Sequence, residues 1–280
     1  MTKTDSVYID LLTLIQSTGD LSPGRNYPTR RLFTLPRVIF DSTPLVTIRK
    51  TAWRKALLEM EWFLTGDSKC PDELLDWWEA QLSSTGYYYR GYGEQLRHSV
   101  GKGISEFDQI SFLIEGLIHH PYSRRLVITC WNPADMYEIT ALNHNPNTPT
   151  TCHTTIAQFF VTREGLLSMH SYQRSADMLL GVPHNWIQSW ALLQWLATQT
   201  KLIPDRLIWT FGDAHIYQEP SHLNTLDQLQ AISKQPYAPP TVSGPRLNYI
   251  GGVSEPFAAA NFELIGEIPF PICTLRPKLL

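Results

Sequence analysis

Polar and apolar positions repeat with a period of two between His153 and Val161, where Thr154, Ile156, Gln158 and Phe160 alternate with His153, Thr155, Ala157, Phe159 and Val161. That is the pattern of a half-buried strand. Arg163-Glu164-Gly165 then signals a turn, and the run from Leu166 to Ser175 pairs back as the second arm of a hairpin. Antiparallel pairing brings the two open ends together, which sets Cys152 beside Arg174.

Elsewhere helical spacing dominates. Asp5 to Ser17 reads as a helix stopped by Gly19, and Thr51 to Leu64 as an amphipathic helix with Trp53, Leu57, Met60 and Leu64 on one stripe. Glu59 lies one residue off the centre of that stripe. Pro71 opens a helix to Leu82 that carries Trp77 and Trp78. Ser105 and Asp108 resemble a capping pair ahead of a helix through Ile110, Leu113, Ile114 and Leu117, ended by Pro121. Asn132-Pro133 starts a short helix. Asn185 to Gln199 is apolar nearly all round, which predicts a buried helix. Pro220 opens a last one with Leu223, Leu226 and Leu229.

The β-type runs are Leu32 to Phe40, Leu45 to Ile48, Arg206 to Phe211, and short stretches near Leu247 and Phe262. Arg124 to Trp131 carries no charge after its two arginines and reads as a central strand. Three stretches read as loops: the arginine-rich Leu21 to Arg31, the tyrosine-rich Tyr87 to Gly93, and the polar Asn143 to Thr150 that enters on Cys152. No internal repeat or linker divides the chain, so a single domain over residues 1–280 is expected.

At 280 residues and 43% hydrophobic, the chain can bury one large core. A net charge of −3 gives no broad pull toward a nucleic-acid polymer. The arginines cluster locally, at Arg25, Arg30 and Arg31 and at Arg124 and Arg125. Such clusters suit a small anion or form a solvated face. Cys70, Cys130, Cys152 and Cys273 make no CxxC, and no signal peptide or membrane-length apolar run is present. A reducing cytoplasmic setting is therefore expected. A metal site is not, because Cys152 and His153 are adjacent and in a strand would point to opposite faces.

A thiol beside a guanidinium has a chemical use: the thiolate is the nucleophile, and a nearby arginine favours it. Alone, Cys152 reads first as a small buried hydrophobe. Its surroundings carry more polarity than packing requires. They run Gln173-Arg174-Ser175 with Asp177, then Leu180-Gly181-Val182-Pro183 with Asn185, then Gly212-Asp213-Ala214-His215-Ile216-Tyr217. In that order and spacing they resemble the thymidylate synthases and the related pyrimidine deoxynucleotide hydroxymethylases. Weaker matches extend the resemblance to Arg25, to Glu59 with Trp62-Phe63-Leu64, to Tyr92-Gly93 and to Ser123-Arg124-Arg125.

The resemblance implies an α/β (α+β) fold with a large mixed sheet and packed helices, acting on dUMP with 5,10-methylenetetrahydrofolate as co-substrate. Cys152 would add covalently to the base. Arg25, Arg174 and Ser175 would bind the 5′-phosphate, joined across a homodimer interface by Arg124 and Arg125. Gln173 belongs to the same nucleotide site, and His215 and Tyr217 would hold the sugar hydroxyl. Asn185 would read the base, since a carboxamide matches uracil O4 and N3–H together. An Asp there would suit cytosine. Glu59, Tyr92 and Asp177 would handle protons and waters, while Trp78, Asp177, Leu180 and Gly181 would face the folate.

Several positions depart from the synthase pattern. Leu96 stands where synthases have tryptophan, and His184 where Phe precedes Asn185. Gln218-Glu219 replaces an Asn-His pair, the loop of Asn143 to Thr150 is long, and the tail from Pro269 to Leu280 differs. A more polar, looser wall admits water. The expected product is therefore 5-hydroxymethyl-dUMP, as in phage-type deoxyuridylate hydroxymethylases. The alternative is reductive methylation to dTMP. A cysteine hydrolase would leave Asn185 and the arginines without a role, and an inactive nucleotide-binding relative would not need Cys152.

Overall fold

The computed structural model describes residues 1–24, 27–101, 104–136, 151–235, 244–266 and 273. Its elements in chain order are α1 (Lys3–Thr18), β1 (Asp20–Ser22), β2 (Thr29–Phe33), β3 (Val38–Phe40), α2 (Trp53–Thr65), α3 (Leu75–Trp78), α4 (Tyr92–Arg97), β4 (Ser99–Gly101), β5 (Ile104–Phe107), α5 (Gln109–His119), β6 (Val127–Ile128), β7 (Ile156–Val161), β8 (Leu166–Asp177), α6 (Gly181–Thr200), β9 (Ile203–Tyr217), α7 (Pro220–Ser233), β10 (Arg246–Tyr249) and β11 (Phe262–Ile265).

Seven strands form one mixed sheet in the order β1-β2-β9-β8-β7-β6, with β3 pairing β9 beyond the end of β2. The β8–β9 pair is parallel and the others antiparallel. Parallel neighbours need a crossover, and α6 is that crossover. It lies on the sheet with α2 packed over it. Trp186, Ile187, Gln188, Ser189, Ala191, Leu193 and Leu196 have essentially no exposure, as a helix apolar on all sides requires. The predicted hairpin is β7 and β8, and Ala157, Phe159 and Val161 are its buried positions.

Local rules set the boundaries. Thr2 and Asp5 form a reciprocal cap on α1, and Gly19 closes it with a bond to Ile15 O at 2.9 Å. The Asp5 carboxylate also accepts from Thr47 N at 2.6 Å, Thr47 Oγ1 at 2.7 Å and Ile48 N at 3.2 Å. Leu45 to Ile48 is for that reason a buried irregular segment and not the strand its composition predicts. A carboxylate takes the amides that a sheet neighbour would have taken.

Other expectations change as well. The supposed loop of Leu21 to Arg31 holds most of β1 and of β2; Arg30 and Arg31 lie on β2, one strand in from the edge strand β1, half-buried and exposed in turn. Pro71 to Leu82 is not one helix but α3 between two short 3₁₀ turns. None of the three has a side-chain cap. Ser105 lies in β5, and Asp108 alone caps α5, accepting from Ser111 N at 2.9 Å. Of Arg124 to Trp131 only Val127–Ile128 pairs, and it pairs at the sheet edge; burial alternates there, with Leu126, Ile128 and Cys130 inside. Asn185 is not a helix cap, because α6 begins four residues earlier at Gly181. The loop from Asn143 to Thr150, Arg25 and the Pro269–Leu280 stretch other than Cys273 lie outside the described residues.

A change of phase on β9 matters for the site. Leu207, Trp209 and Phe211 are buried, and then Ala214 and Ile216 are, so inward positions switch from odd to even around Gly212. β8 changes phase beside it, from Ser171 and Gln173 to Ala176, while the β8–β9 register runs on unbroken there. Asp213, His215 and Tyr217 are thereby half-buried rather than in the core. A Cβ at Gly212 would lie 2.5 Å from Tyr172 Oη and 2.7 Å from Arg174 O, so the close strand approach there requires glycine.

Candidate active site

Cys152 precedes β7 rather than standing in it. Thr154 has a φ of 47°, and this left-handed residue turns the chain before the ladder begins at Ile156. His153 is buried and stacks on Tyr92, with ring centroids 4.5 Å apart, while Cys152 is half-buried at the end of β8. The Tyr92 hydroxyl accepts from Cys152 N at 2.7 Å and His153 N at 3.3 Å, which ties the segment to α4. Burial lowers the His153 pKa to about 3, so its ring is neutral.

Arg174 closes the hairpin onto Cys152. Its N–H donates to Cys152 O at 3.1 Å, its Nε to Thr151 O at 2.8 Å, and one terminal nitrogen lies 3.6 Å from Cys152 Sγ. The guanidinium sits 4.8 Å over the Trp131 ring. Thr155 Oγ1 donates to Cys152 O at 2.8 Å. The backbone on both sides of the thiol is thus pinned and the sulfur faces a cation.

A buried polar chain runs behind this pair. Trp209 Nε1 donates to Gln173 Oε1 at 3.2 Å, and Gln173 Nε2 to Asn185 Oδ1 at 3.1 Å. Asn185 Nδ2 donates to Gln188 Oε1 at 3.3 Å. Gln188 Nε2 donates to Ala56 O at 2.9 Å and to Glu59 Oε2, and Trp78 Nε1 donates to the other oxygen of Glu59. Burial raises the Glu59 carboxyl to about 7, against the bonds from Gln188 and Trp78, which lower it.

Asp177 Oδ1 accepts from Leu179 N and Leu180 N, both at 2.9 Å, ordering the turn into α6. A Cβ at Gly181 would lie 3.2 Å from Asn185 Oδ1, so a side chain there would crowd the carboxamide. His184 packs on Trp77 at 4.9 Å; its Nδ1–H donates to Leu180 O at 2.7 Å and its Nε2 accepts from Ala52 N at 3.3 Å. Burial first, and Arg49 second, hold its pKa down at about 4.

The structure therefore brings together Cys152, Tyr92, Arg174, Gln173, Asn185, Glu59 and Trp78 through contacts. Ser175 follows Arg174 on β8, and Asp177 lies opposite His215 in the β8–β9 register. His215 and Tyr217 are edge-to-face at 5.1 Å near the end of β9. Arg124 and Arg125 are exposed in the turn before β6. Gln188, Trp131, Thr155 and Trp209 escaped the sequence reading. Gln188 alone carried a signal, a long amide set among the tryptophans and aliphatic residues of α6.

The family model described as Thymidylate synthase matches residues 6–267. The chain is 33% identical to the thymidylate synthase of Cereibacter sphaeroides, the match covering 82% of this chain and 84% of that protein. It is similar to the thymidylate synthase of Brachyspira hyodysenteriae at 33% with the same coverage, and to that of Rhodopseudomonas palustris at 32% over 94% of each. The chain belongs to the thymidylate synthase family.

Proposed function

We propose that this protein transfers a one-carbon unit to C5 of dUMP, using Cys152 as the covalent catalyst, and that its product is 5-hydroxymethyl-dUMP. The observation that supports this most is the Cys152 thiol held against the Arg174 guanidinium at 3.6 Å, next to a carboxamide of locked orientation. The Cys152 thiolate adds to C6 of the uracil, and the displaced electron pair moves through C5 to O4. The free Nδ2–H of Asn185 meets the growing charge on O4, and Oδ1 accepts from N3–H. Arg174 and Ser175 bind the 5′-phosphate, together with Arg25 and, from a second subunit, Arg124 and Arg125. His215 and Tyr217 hold the sugar.

Methylenetetrahydrofolate, the family's co-substrate, supplies the carbon when bound. The residues present fit it: Gly181 leaves room beside Asn185, and Asp177 spends one oxygen on two amides, leaving the other for a pterin donor. Trp78, Leu180 and Gly181 would form its wall. Glu59, buried and near neutrality, exchanges protons and orders water around the base.

One feature supports water rather than hydride as the final partner. Leu96 lies one helical turn from Tyr92 on the same face of α4, where a leucine fills less space than tryptophan. His184 offers nothing to a water, since both of its ring nitrogens are bonded within the protein. The second reading, reductive methylation to dTMP, draws on the printed name of the relatives. Mass analysis of the nucleotide formed from dUMP and methylenetetrahydrofolate tests both: a gain of CH2O fits the first, and a gain of CH2 fits the second.

Dimers are general in the family. The sheet's open face carries Ile39, Ile156 and Phe160, all exposed here, which supports a homodimer formed across that face. Among the described residues no helix is long and apolar enough to cross a membrane.

A further inference from the structure

The reading above gives Gln188 no part, yet it is a fully buried amide at the centre of α6 with all of its described bonds made to side chains or backbone of the site. Its orientation follows from its partners. The Ala56 carbonyl can only accept, so Nε2 must face it, and Glu59 lies on the same side. Oε1 must then face Asn185 and can only accept, so Asn185 presents Nδ2 to it. At the far end the Trp209 indole can only donate, which turns Gln173 Oε1 toward it and Gln173 Nε2 toward Asn185 Oδ1. Flipping Asn185 would set like atoms face to face at both contacts. One N–H and one lone pair of the carboxamide remain, in the arrangement that fits uracil and not cytosine.

We propose that Gln188 is a positioning residue that fixes the Asn185 carboxamide for uracil by anchoring it to the Ala56 carbonyl, and that it ties this base-reading group directly to the Glu59 carboxyl. The inference rests on the proposed dUMP site. It goes beyond it in giving base choice and proton handling one shared support. The titratable groups that face Glu59 are Lys55 on its own helix and Cys70 from the following turn; neither reaches Asn185 through a described bond.

The test uses full-length protein carrying Gln188→Met, which keeps volume and removes both donor and acceptor. The dUMP to dCMP preference, read by calorimetric binding, is expected to fall at least tenfold. The acid limb of C5 tritium release from dUMP is expected to move to higher pH, because Glu59 loses a donor that favours its ionised form. Preference and limb both unchanged, with only a lower melting temperature, would overturn the proposal. If Gln188→Met does not fold, Gln188→Glu serves, since its protonated form can donate as the amide does. It should bind dUMP nearly as wild type at pH 6 and lose at least tenfold by pH 8, where ionisation opposes Glu59. Equal affinity at both pH values would overturn the proposal. Failure of the wild type to release tritium would count against the dUMP reading instead, which keeps the two failures apart.

Discussion

Arg174 reaches Cys152 twice, through its backbone N–H to the carbonyl at 3.1 Å and through its guanidinium to the sulfur at 3.6 Å. The hairpin ends are thus locked whether or not the thiol is charged, and the cation is already in position when it ionises. A hydroxyl in the same place would gain nothing comparable, being far less acidic than a thiol. Cys152→Ser is expected to retain the fold and dUMP binding but lose C5 proton exchange by more than a hundredfold. Tritium release near the wild-type rate would take Cys152 out of its role.

Asn185→Asp should turn base preference toward dCMP. The Gln173 side still finds an acceptor, but the group facing Gln188 Oε1 must now be a protonated acid to donate. Each mismatched buried polar contact costs about 1–3 kcal/mol. Comparative binding of dUMP and dCMP measures the change, and an unaltered ratio would show that Asn185 does not read the base.

Glu59 predicts a pH dependence of stability. Its folded pKa, about 7, lies above the ordinary 4.5, so the native state binds the extra proton between those values. Stability then falls as pH rises through that window and levels off above it, by about 3 kcal/mol in all. Glu59→Gln should abolish this component. Urea unfolding of both proteins at pH 5 and pH 8 gives the comparison; parallel losses in the two would mean that Glu59 is not its source.

Gly212→Ala tests the strand approach. The new methyl would press on Tyr172 Oη and on the carbonyl of Arg174, and overpacking of this kind costs about 1–3 kcal/mol. Because Arg174 carries the strain, dUMP affinity should fall along with stability. A variant that melts early but binds dUMP normally would separate the close strand approach from the site.

What could be read in advance was whatever depends on local period. The β7–β8 hairpin, the buried α6 and the Cys152–Arg174 meeting all follow from spacing within a few dozen residues. What could not be read depends on distant partners. Leu45 to Ile48 has strand composition, but Asp5, some forty positions earlier, takes its amides. The apolar run from Leu126 to Cys130 implied a central strand, yet apolar content does not distinguish an edge covered by a helix from a sheet interior, and α5 packs on β6. The same holds within the site. Motif residues were visible one by one, whereas the Trp209–Gln173–Asn185–Gln188–Glu59 chain joins four elements and appears only once they pack.

The final prediction concerns the product. In the proposed reaction both fates of the transferred carbon share Cys152, Arg174 and Asn185, so binding and tritium release do not separate them. Hydride transfer oxidises the folate, and dihydrofolate appears with its own absorbance. Water addition leaves tetrahydrofolate, and that absorbance stays flat. Leu96, one turn beyond Tyr92, would leave the surroundings of a bound folate roomier than a tryptophan would, and a water with two or more polar partners is held at low cost. The expected outcome is 5-hydroxymethyl-dUMP without matching dihydrofolate, and a Leu96→Trp variant should raise the dTMP share. Dihydrofolate rising mole for mole with product in the wild type would make this protein a reductive methylase.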